Sequence, residues 1–550
     1  MSENLFLPQE GGGARRAGRC FPMNKLDVAI VVASLALVVV VGLWASRRQE
    51  KTARGYFLAS GKLPWYVIGA AFVSTSVSSE QIVGTVGMAY THGMGVTNWE
   101  WFLLPVYTPL MVLFIPIYLK NHIATVPELL ARRFGPLCGD AYSWIMLAAY
   151  VFVFMVPVLY GGSLTFSELT GWDFHLVLWL IVLLVGAYTI KGGLASVVWT
   201  DAVQCAMLLG GGLILFFVAL AHVDGGWSAM VQANPDRFHL YRPPNDPVAP
   251  FLGIVFASFG VFLFYSAGNQ VMVQRILGAR STWDGLMGIV FAAYINLLRP
   301  LVTCFLGMVV YHWIHVQHRA APLAHGDMAF PYALSQLAPE WGLRGIVLTG
   351  FLAAVMSTIS ALTNSTATIF SLEIYHKIGN RQADQGRLVR VGRLAAFTAL
   401  ALAALVAPCV RQFGGIFQYF QTGVTYLATP FITTMLVGIL WRRATYAAGV
   451  FGIVGGLAVQ LAVAAGLPRI GIHLHWLYYA FIAQLLIVLG MVIVSLATDP
   501  PAEKQWKPYH WSPGLLRQYS GGGQHRWYAS VWLWMGLFAV IWFYLYWRFW

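Results

Sequence analysis

The sequence predicts an all-α polytopic membrane protein with about fourteen transmembrane helices, and three observations lead to that prediction. Hydrophobic residues make up 58% of the chain and charged residues only 10%, whereas a soluble domain carries about 25% charged residues. Apolar runs long enough to cross a bilayer recur along the whole chain. Two of these runs contain polar interruptions five spans apart, which predicts a five-plus-five inverted-repeat core containing two broken helices.

The apolar runs are separated by short loops that carry Gly, Pro, Lys and Arg. About twenty apolar residues cross a bilayer as a helix. By this rule the spans lie near 26–46, 64–90, 97–119, 139–168, 174–190, 195–221, 249–274, 284–314, 345–375, 390–410, 413–440, 444–466, 473–497 and 528–547.

The spans divide the chain into four parts. We expect an extracytoplasmic N-terminal tail (1–25), a leading helix (26–46), a core (64–440) and three accessory C-terminal helices (444–550) with a cytoplasmic loop at 500–527. The run 26–46 is longer than the apolar part of a cleaved signal peptide, so we expect it to be retained. Met23, at the start of MNKLD, is an alternative first residue.

The loops predict the orientation of the chain. One alternating set of loops carries about twice as many Lys and Arg residues as the opposite set together with both termini, and a Lys/Arg excess marks the cytoplasmic side. We therefore expect both termini to be extracytoplasmic in a plasma (inner) membrane. The richer set comprises 47–62, 120–134, 191, 275–280, 377–393, 442–443 and 500–527.

The charge distribution, the cysteine spacing and the motifs of the chain exclude several function classes. The net charge of +13 is spread over short loops rather than gathered in a stripe, which argues against nucleic-acid binding. The five cysteines are scattered without a Cys-x-x-Cys pair, so neither a disulfide framework nor a zinc site is indicated. The sequence contains no Walker-type loop and no Ser/His/Asp, Cys/His or HExxH constellation, so we expect no enzyme.

Two spans are interrupted by polar residues. Residues 74–81 read STSVSSEQ and residues 265–270 read YSAGNQ. Within lipid, unwound backbone occurs only where it is buried in protein or lines a wet cavity. A pair of interruptions at repeat-equivalent positions indicates the central site of a transporter. The alternative is that Ser and Thr bond back to intact helices or lie between packed helices.

Eight short strings stand in order along nearly the whole chain. They are YFLASGKLPW (56–65), SSEQIVG (78–84), TVPELLARRFG (125–135), GGLASVVWTDAVQ (192–204), NQVMVQR (269–275), GIVFAA (288–293), NSTATIFSLEIY (364–375) and FQYFQ (417–421). Together they resemble the sodium/solute symporter family, and within it the sodium/glucose cotransporter branch. The resemblance implies ten core helices in two inverted repeats, with one helix before and three after.

The resemblance implies a sodium site at the first interruption. Its ligands are the backbone carbonyls of Ser74, Val77 and Ala354 and the hydroxyls of Ser357 and Thr358. Small hard cations prefer such oxygen ligands. Taken alone, the Ser-Thr pair is equally consistent with a close helix contact.

The charge at this site decides how transport is driven. No carboxylate occupies the implied ligand positions, so one sodium moving inward with a neutral solute is electrogenic. Each such charge is driven by about 2.3 kcal/mol per 100 mV. Asp201 matches a family carboxylate near the sodium exit, and a satisfied interfacial acid is the alternative.

The resemblance also implies a solute site. Gln81, Glu100 and Gln421 match positions that hydrogen-bond a sugar, and Tyr265 matches the aromatic inner gate beneath it. A carboxylate at membrane depth costs about 2.5–3.5 kcal/mol, which makes Glu100 a functional candidate on physical grounds. Its alternative is an acid near the outer interface. For the two glutamines the alternative is hydrogen bonding between helices.

The outer gate is implied at Trp99 and Phe417, for which ordinary packing is the alternative. The chain departs from the family's sugar pattern nearby. Asn296 stands where a substrate-contacting lysine is expected, Phe262 replaces a small polar residue and Leu103 replaces a serine. Arg299, one turn after Asn296, either replaces the missing cation, snorkels or pairs with Glu100.

These residues predict a secondary active symporter that couples inward sodium flow to uptake of a neutral sugar or polyol by alternating access. One alternative is a sodium symporter for an amino acid, vitamin or carboxylate, and another is a solute-binding sensor with little transport. The expected partners are the solute, the sodium ion and the lipid bilayer. We expect a monomer or a weak homo-oligomer.

Overall fold

The computed structural model describes residues 24–47, 50, 52–339, 341–379, 382–412, 416–515 and 526–550. Across these ranges the regular structure is helical, apart from one isolated bridge between Leu63 and Ala279. Eleven of the described helices are long and apolar enough to cross a membrane, and one bent helix pair also qualifies. The prediction of an all-α polytopic membrane protein is confirmed.

Sixteen helices of the described ranges are numbered, and the shorter helices between them are not. They are α1 (Lys25–Arg47), α2 (Trp65–Ser76), α3 (Ser79–His92), α4 (Met94–Lys120), α5 (Pro136–Thr170), α6 (Phe174–Ala221), α7 (Phe251–Ala257), α8 (Val261–Gly268), α9 (Gln270–Leu277), α10 (Thr282–Val316), α11 (Leu343–Lys377), α12 (Gln385–Val410), α13 (Ile416–Leu440), α14 (Tyr446–Arg469), α15 (Trp476–Ala497) and α16 (Val531–Arg548).

Side-chain oxygens fix where several of these helices begin. Asp173 accepts a hydrogen bond from the backbone N–H of Leu176 at the start of α6, at 3.0 Å. Ser281 does the same for α10 and Ser530 for α16. Each cap satisfies a backbone donor that has no partner inside the helix.

Helix α6 joins two of the predicted spans, 174–190 and 195–221, in one element of 48 residues. A straight helix of that length measures about 72 Å, more than twice the hydrocarbon thickness of a bilayer. Gly193 interrupts the helix with φ 57° and ψ −155°. A Cβ there would lie 2.3 Å from the carbonyl oxygen of Tyr56, so both the conformation and the space require glycine.

The first interruption is narrower than the predicted segment 74–81. Helix α2 ends at Ser76 and α3 begins at Ser79, and only Val77 and Ser78 between them are extended. Six of the seven polar residues in the segment therefore remain helical, because a short extended stretch is sufficient to expose backbone oxygens at this depth.

The second interruption lies where the polar string 265–270 predicts it. Residues Phe264–Gly268 form a π-helix, Asn269 is extended with φ −96° and ψ 120°, and α9 begins at the next residue. A second bend, of 47° between α7 and α8, is not predicted by the sequence. It falls at Ser258–Gly260, where the chain carries no polar cluster.

The ends of the described chain lie on one face of the molecule. Arg242 of the loop 222–250 donates to the carbonyl of His92 at the end of α3, and His239 of the same loop contacts the carbonyl oxygen of Trp550. At the start of α1, Asp27 accepts from the backbone N–H of Gly345 at 2.8 Å. Helix α11 begins on this face, because the preceding loop packs against the end of α3 at Gly326.

Candidate functional site

Oxygen atoms from α11 and the first interruption meet at Thr358. Its hydroxyl oxygen lies 3.1 Å from the carbonyl oxygen of Ala354, 3.3 Å from that of Val77 and 3.4 Å from that of Thr75. The Ser74 carbonyl, one residue before Thr75, accepts from the Val77 N–H at 3.3 Å. The group is buried and consists of neutral oxygens, the ligand type that a small hard cation takes.

Asp201 of α6 lies directly behind this group. Its carboxylate accepts from the Ser357 hydroxyl at 2.7 Å and from the Thr75 hydroxyl at 3.3 Å. It also pairs with Arg275 of α9 at 3.0 Å, and both side chains are fully buried. The carboxylate therefore connects the first interruption, α11 and the helix that follows the second interruption. Ser357, which donates to Asp201, directly precedes Thr358 in α11.

The oxygens of the second interruption accept hydrogen bonds from tyrosine hydroxyls, a feature that the polar string 265–270 does not predict. Tyr118 donates to the Ala267 carbonyl, Tyr142 to the Gly268 carbonyl and Tyr150 to the Asn269 side chain, each at 2.7 Å. An unpaired carbonyl at this depth costs about 1–3 kcal/mol. Tyr142 and Tyr150 are eight residues apart and share a helix face, which is the one local signal of this arrangement.

A cavity of about 160 Å³ lies between the two interruptions. Most of its wall is apolar, with a few polar groups, as is typical of ligand sites. Of the residues implied as solute contacts or gates, the cavity is lined by Gln81, Trp99 and Tyr265. Phe262 and Leu103, which depart from the family pattern, also line it.

Arg299 lines the same cavity and is held from behind by Glu100. Nε of Arg299 lies 3.2 Å from Oε1 of Glu100, an ion pair without an aligned hydrogen bond, and both side chains are buried. The other carboxylate oxygen accepts from the Thr303 hydroxyl at 2.7 Å. The structure shows Arg299 paired with Glu100 and also facing the cavity, so its pairing and its replacement of the missing cation are compatible.

The two guanidinium ends of Arg299 reach the first interruption. When the Gln81 amide is oriented to satisfy both neighbours, its oxygen lies 2.6 Å from one Nη of Arg299 and its nitrogen donates to the Ser76 carbonyl at 2.6 Å. The other Nη contacts the Ser76 hydroxyl at 3.3 Å and Asn296 Oδ1 at 3.2 Å. Asn296 and Glu100 are not part of the cavity wall. Both contact Arg299, which forms part of that wall.

Two of the implied gate residues, Trp99 and Tyr265, line the cavity. Trp99 packs edge-on against Phe262, with ring centroids 5.4 Å apart, and stacks on Trp476 of α15 at 5.7 Å. Tyr265 lies in the π-helical turn of α8 and forms part of the cavity wall. The positions of Phe417 and Gln421 fall within α13, and their side chains lie outside the described part of the chain.

Comparison with known proteins identifies the family. Residues 56–456 match the model of the sodium:solute symporter family. The sodium/glucose cotransporter of Vibrio parahaemolyticus is 29% identical over 503 residues, which cover 87% of this chain and 92% of that protein. Sodium/myo-inositol cotransporter 2 of Oryctolagus cuniculus is also 29% identical, over 89% of this chain and 80% of that protein.

A solved structure shows the same fold. The substrate-bound, outward-open state of a Na⁺-coupled sialic acid symporter superposes with a TM-score of 0.78 at 23% identity, over 87% of this chain and 99% of that chain. The relatives and this neighbour are sodium-coupled transporters and not enzymes. The chain belongs to the sodium:solute symporter family, and sodium is its coupling ion.

Proposed function

We propose that this protein couples inward sodium flow to uptake of a neutral sugar or polyol by alternating access. The observation that carries the proposal is the wall of the cavity, where Gln81 and a charge-neutralised Arg299 lie opposite aromatic rings. Sugars present many hydroxyls, each a donor and an acceptor, together with a flat C–H face. Similarity to transporters named for glucose and myo-inositol supports the same class of solute.

A neutral solute is favoured by the charge balance of the wall. Arg299 is the cation of the cavity wall in the described residues, and Glu100 compensates it at 3.2 Å. An anionic solute would add a second negative charge beside a pair that is already balanced. A neutral polyol adds none, and it exchanges hydrogen bonds with Gln81 and the guanidinium.

We assign the solute contacts accordingly. Gln81 and Tyr265 contact the solute directly, and Gln421 does so by resemblance to the family. Glu100 and Asn296 act through Arg299, because they hold its guanidinium from the side away from the cavity. Trp99 and Phe417 close the outer side. The larger side chains of Phe262 and Leu103 narrow the site relative to the sugar pattern of the family.

We place sodium among the oxygens of Ser74, Val77, Ala354, Ser357 and Thr358. An ion there joins α2 to α11 and so favours the outward-open arrangement, in which the solute then binds. Asp201 accepts a hydrogen bond from Ser357 and lies on the exit path in this proposal. Coupling requires that sodium and solute each bind one arrangement more tightly than the other.

We propose fourteen spans with both termini extracytoplasmic. The count follows if α2–α3 and α7–α9 are each one broken span and α6 is two spans that meet at Gly193. Spans two to eleven then form the two inverted repeats. An even number of spans is supported by the contacts that bring both described ends to one face. The Lys/Arg-rich loops assign the opposite face to the cytoplasm of a plasma membrane.

Solute-evoked currents in proteoliposomes test this function. With sodium on the outside, a neutral sugar or polyol should evoke an inward positive current. This current should disappear when choline replaces the external sodium. An anionic solute moving with one sodium would be electroneutral, and the presence of Arg299 in the cavity wall makes this the second candidate. Solute-dependent thermal stabilisation without current or uptake would instead indicate a sensor.

A further inference from the structure

Helix α15 begins beside the cavity although it lies outside the residues matched by the family model, 56–456. Its first residue, Trp476, stacks on Trp99 with ring centroids 5.7 Å apart and planes inclined by 23°. Trp99 in turn packs on Phe262 at 5.4 Å. Trp99 and Phe262 line the cavity, so the three rings form a continuous stack from the cavity wall to α15.

The same helix fixes the bend that carries Phe262. Gln484 of α15 donates to the carbonyl of Phe259 at 2.9 Å, in the turn between α7 and α8. Phe481 stacks flat on Phe256 of α7, with centroids 4.1 Å apart and planes within 5°. These contacts hold the turn before Phe262 at a fixed distance from α15.

Trp476 lies on the face that carries both described chain ends. Two residues later, the Tyr478 hydroxyl donates to the Pro244 carbonyl in the loop 222–250, at 2.9 Å. Leu474, just before the helix, is 42% exposed. Trp476 itself is half-buried. The stack therefore runs from exposed residues to the cavity wall.

We propose that Trp476 is a gate residue, and that Trp99 separates from Trp476 and Phe262 when solute enters from outside. The inference rests on the proposed function, in which solute reaches the cavity from this face. An aromatic pair changes an equilibrium by about 2- to 12-fold beyond its buried area. Loss of the Trp476 ring should shift the gate toward its open arrangement by a factor in that range.

Cysteine accessibility tests the gate without a solute. Met88, which lines the cavity, is changed to cysteine in a background with Cys20→Ser and Cys409→Ser, and a membrane-impermeant thiol reagent is added from outside. Trp476→Ala should raise the labelling rate by about 2- to 12-fold. Trp476→Phe should restore a rate close to the parent, because it retains an aromatic ring.

Leu485→Ala is the matched control, because Leu485 lies on the same helix and is 54% exposed. Its labelling rate should equal that of the parent. A Trp476→Ala rate equal to the control would overturn the proposal. If Trp476→Ala is not recovered as folded protein, Trp476→Leu, which keeps an apolar side chain without stacking, should still label faster than Trp476→Phe; equal rates would overturn it. A failure to find a transported solute would leave these rates unaffected.

Discussion

The hydroxyl oxygen of Thr358 lies 3.3 Å from the carbonyl oxygen of Val77, across 281 residues of sequence. Val77 is extended because α2 stops one residue earlier, and Thr358 is in the middle of an unbroken helix. The contact therefore joins an interrupted helix to a continuous one. A sodium ion bound by these oxygens would link the same two helices and couple its binding to their relative position.

Removal of both hydroxyls should weaken sodium dependence. Each lost polar ligand costs about 1–3 kcal/mol, which corresponds to about 5- to 150-fold in affinity. We expect Ser357→Ala/Thr358→Ala to raise the half-saturating sodium concentration by at least about 5-fold, as measured by sodium-dependent thermal stabilisation. Thr363→Ala is the control on the same helix, since its hydroxyl faces the sulfur of Met155 at 3.9 Å. Parent-like sodium affinity in the double variant would contradict the assignment.

Glu100 and Arg299 should depend on each other for stability. Either Glu100→Gln or Arg299→Gln leaves one buried charge unpaired, at a cost of about 3–5 kcal/mol. The variant Glu100→Gln/Arg299→Gln should lose less than the sum of the two single variants, as shown by unfolding midpoints in detergent. Lys507→Gln, which removes a pair with Glu503 at 69% and 65% exposure, should change the midpoint little. Additive losses at Glu100 and Arg299 would show that their pairing contributes nothing.

The hydroxyl of Tyr142 should stabilise the second interruption. Tyr142→Phe keeps the ring but leaves the Gly268 carbonyl without its 2.7 Å donor, which costs about 1–3 kcal/mol. The unfolding midpoint of the purified protein should fall. Tyr446→Phe, at a side chain that is 47% exposed, serves as the comparison and should leave it nearly unchanged. Equal midpoints for the two variants would mean that the carbonyl finds another partner.

His475 should make the protein less stable in acid. Burial lowers the pKa of His475 to about 4, although the nearby charge of Asp246 opposes the shift. The ordinary pKa is about 6.5, so between these values the unfolded chain binds a proton that the folded protein does not. Stability then falls as the pH is lowered through this window. His475→Gln should show a shallower fall between pH 6.5 and 4 in thermal unfolding; parallel curves would exclude this contribution.

The sequence predicts the parts of this molecule that depend on local pattern. Twenty-residue apolar runs mark the helices, and polar residues at membrane depth mark both interruptions, because lipid makes unpaired polar groups costly. The resemblance names the carbonyls of Val77 and Ala354, which both lie within 3.3 Å of the Thr358 hydroxyl, and sodium binding by these oxygens stays a prediction. These features need only nearby residues or a shared motif.

Local patterns of this kind do not predict contacts between distant helices. The sequence leaves three roles open for Arg299, since helix register alone does not choose between pairing with Glu100, a snorkelling position and the cavity. The sequence does not predict the hydrogen bonds to the Ala267 and Gly268 carbonyls, because their donors, Tyr118 and Tyr142, lie on the distant helices α4 and α5. Trp476 was missed for the same reason, since its role depends on the packing of α15 against Trp99.

Uptake into proteoliposomes tests the central claim most directly. Labelled glucose, galactose, mannose, fructose, myo-inositol, proline and sialic acid would each be supplied with an inward sodium gradient and, separately, with potassium or choline. The account predicts that a neutral sugar or polyol accumulates with sodium and not with the other cations. Accumulation that is equal in sodium and potassium, or that is confined to proline or sialic acid, would contradict it.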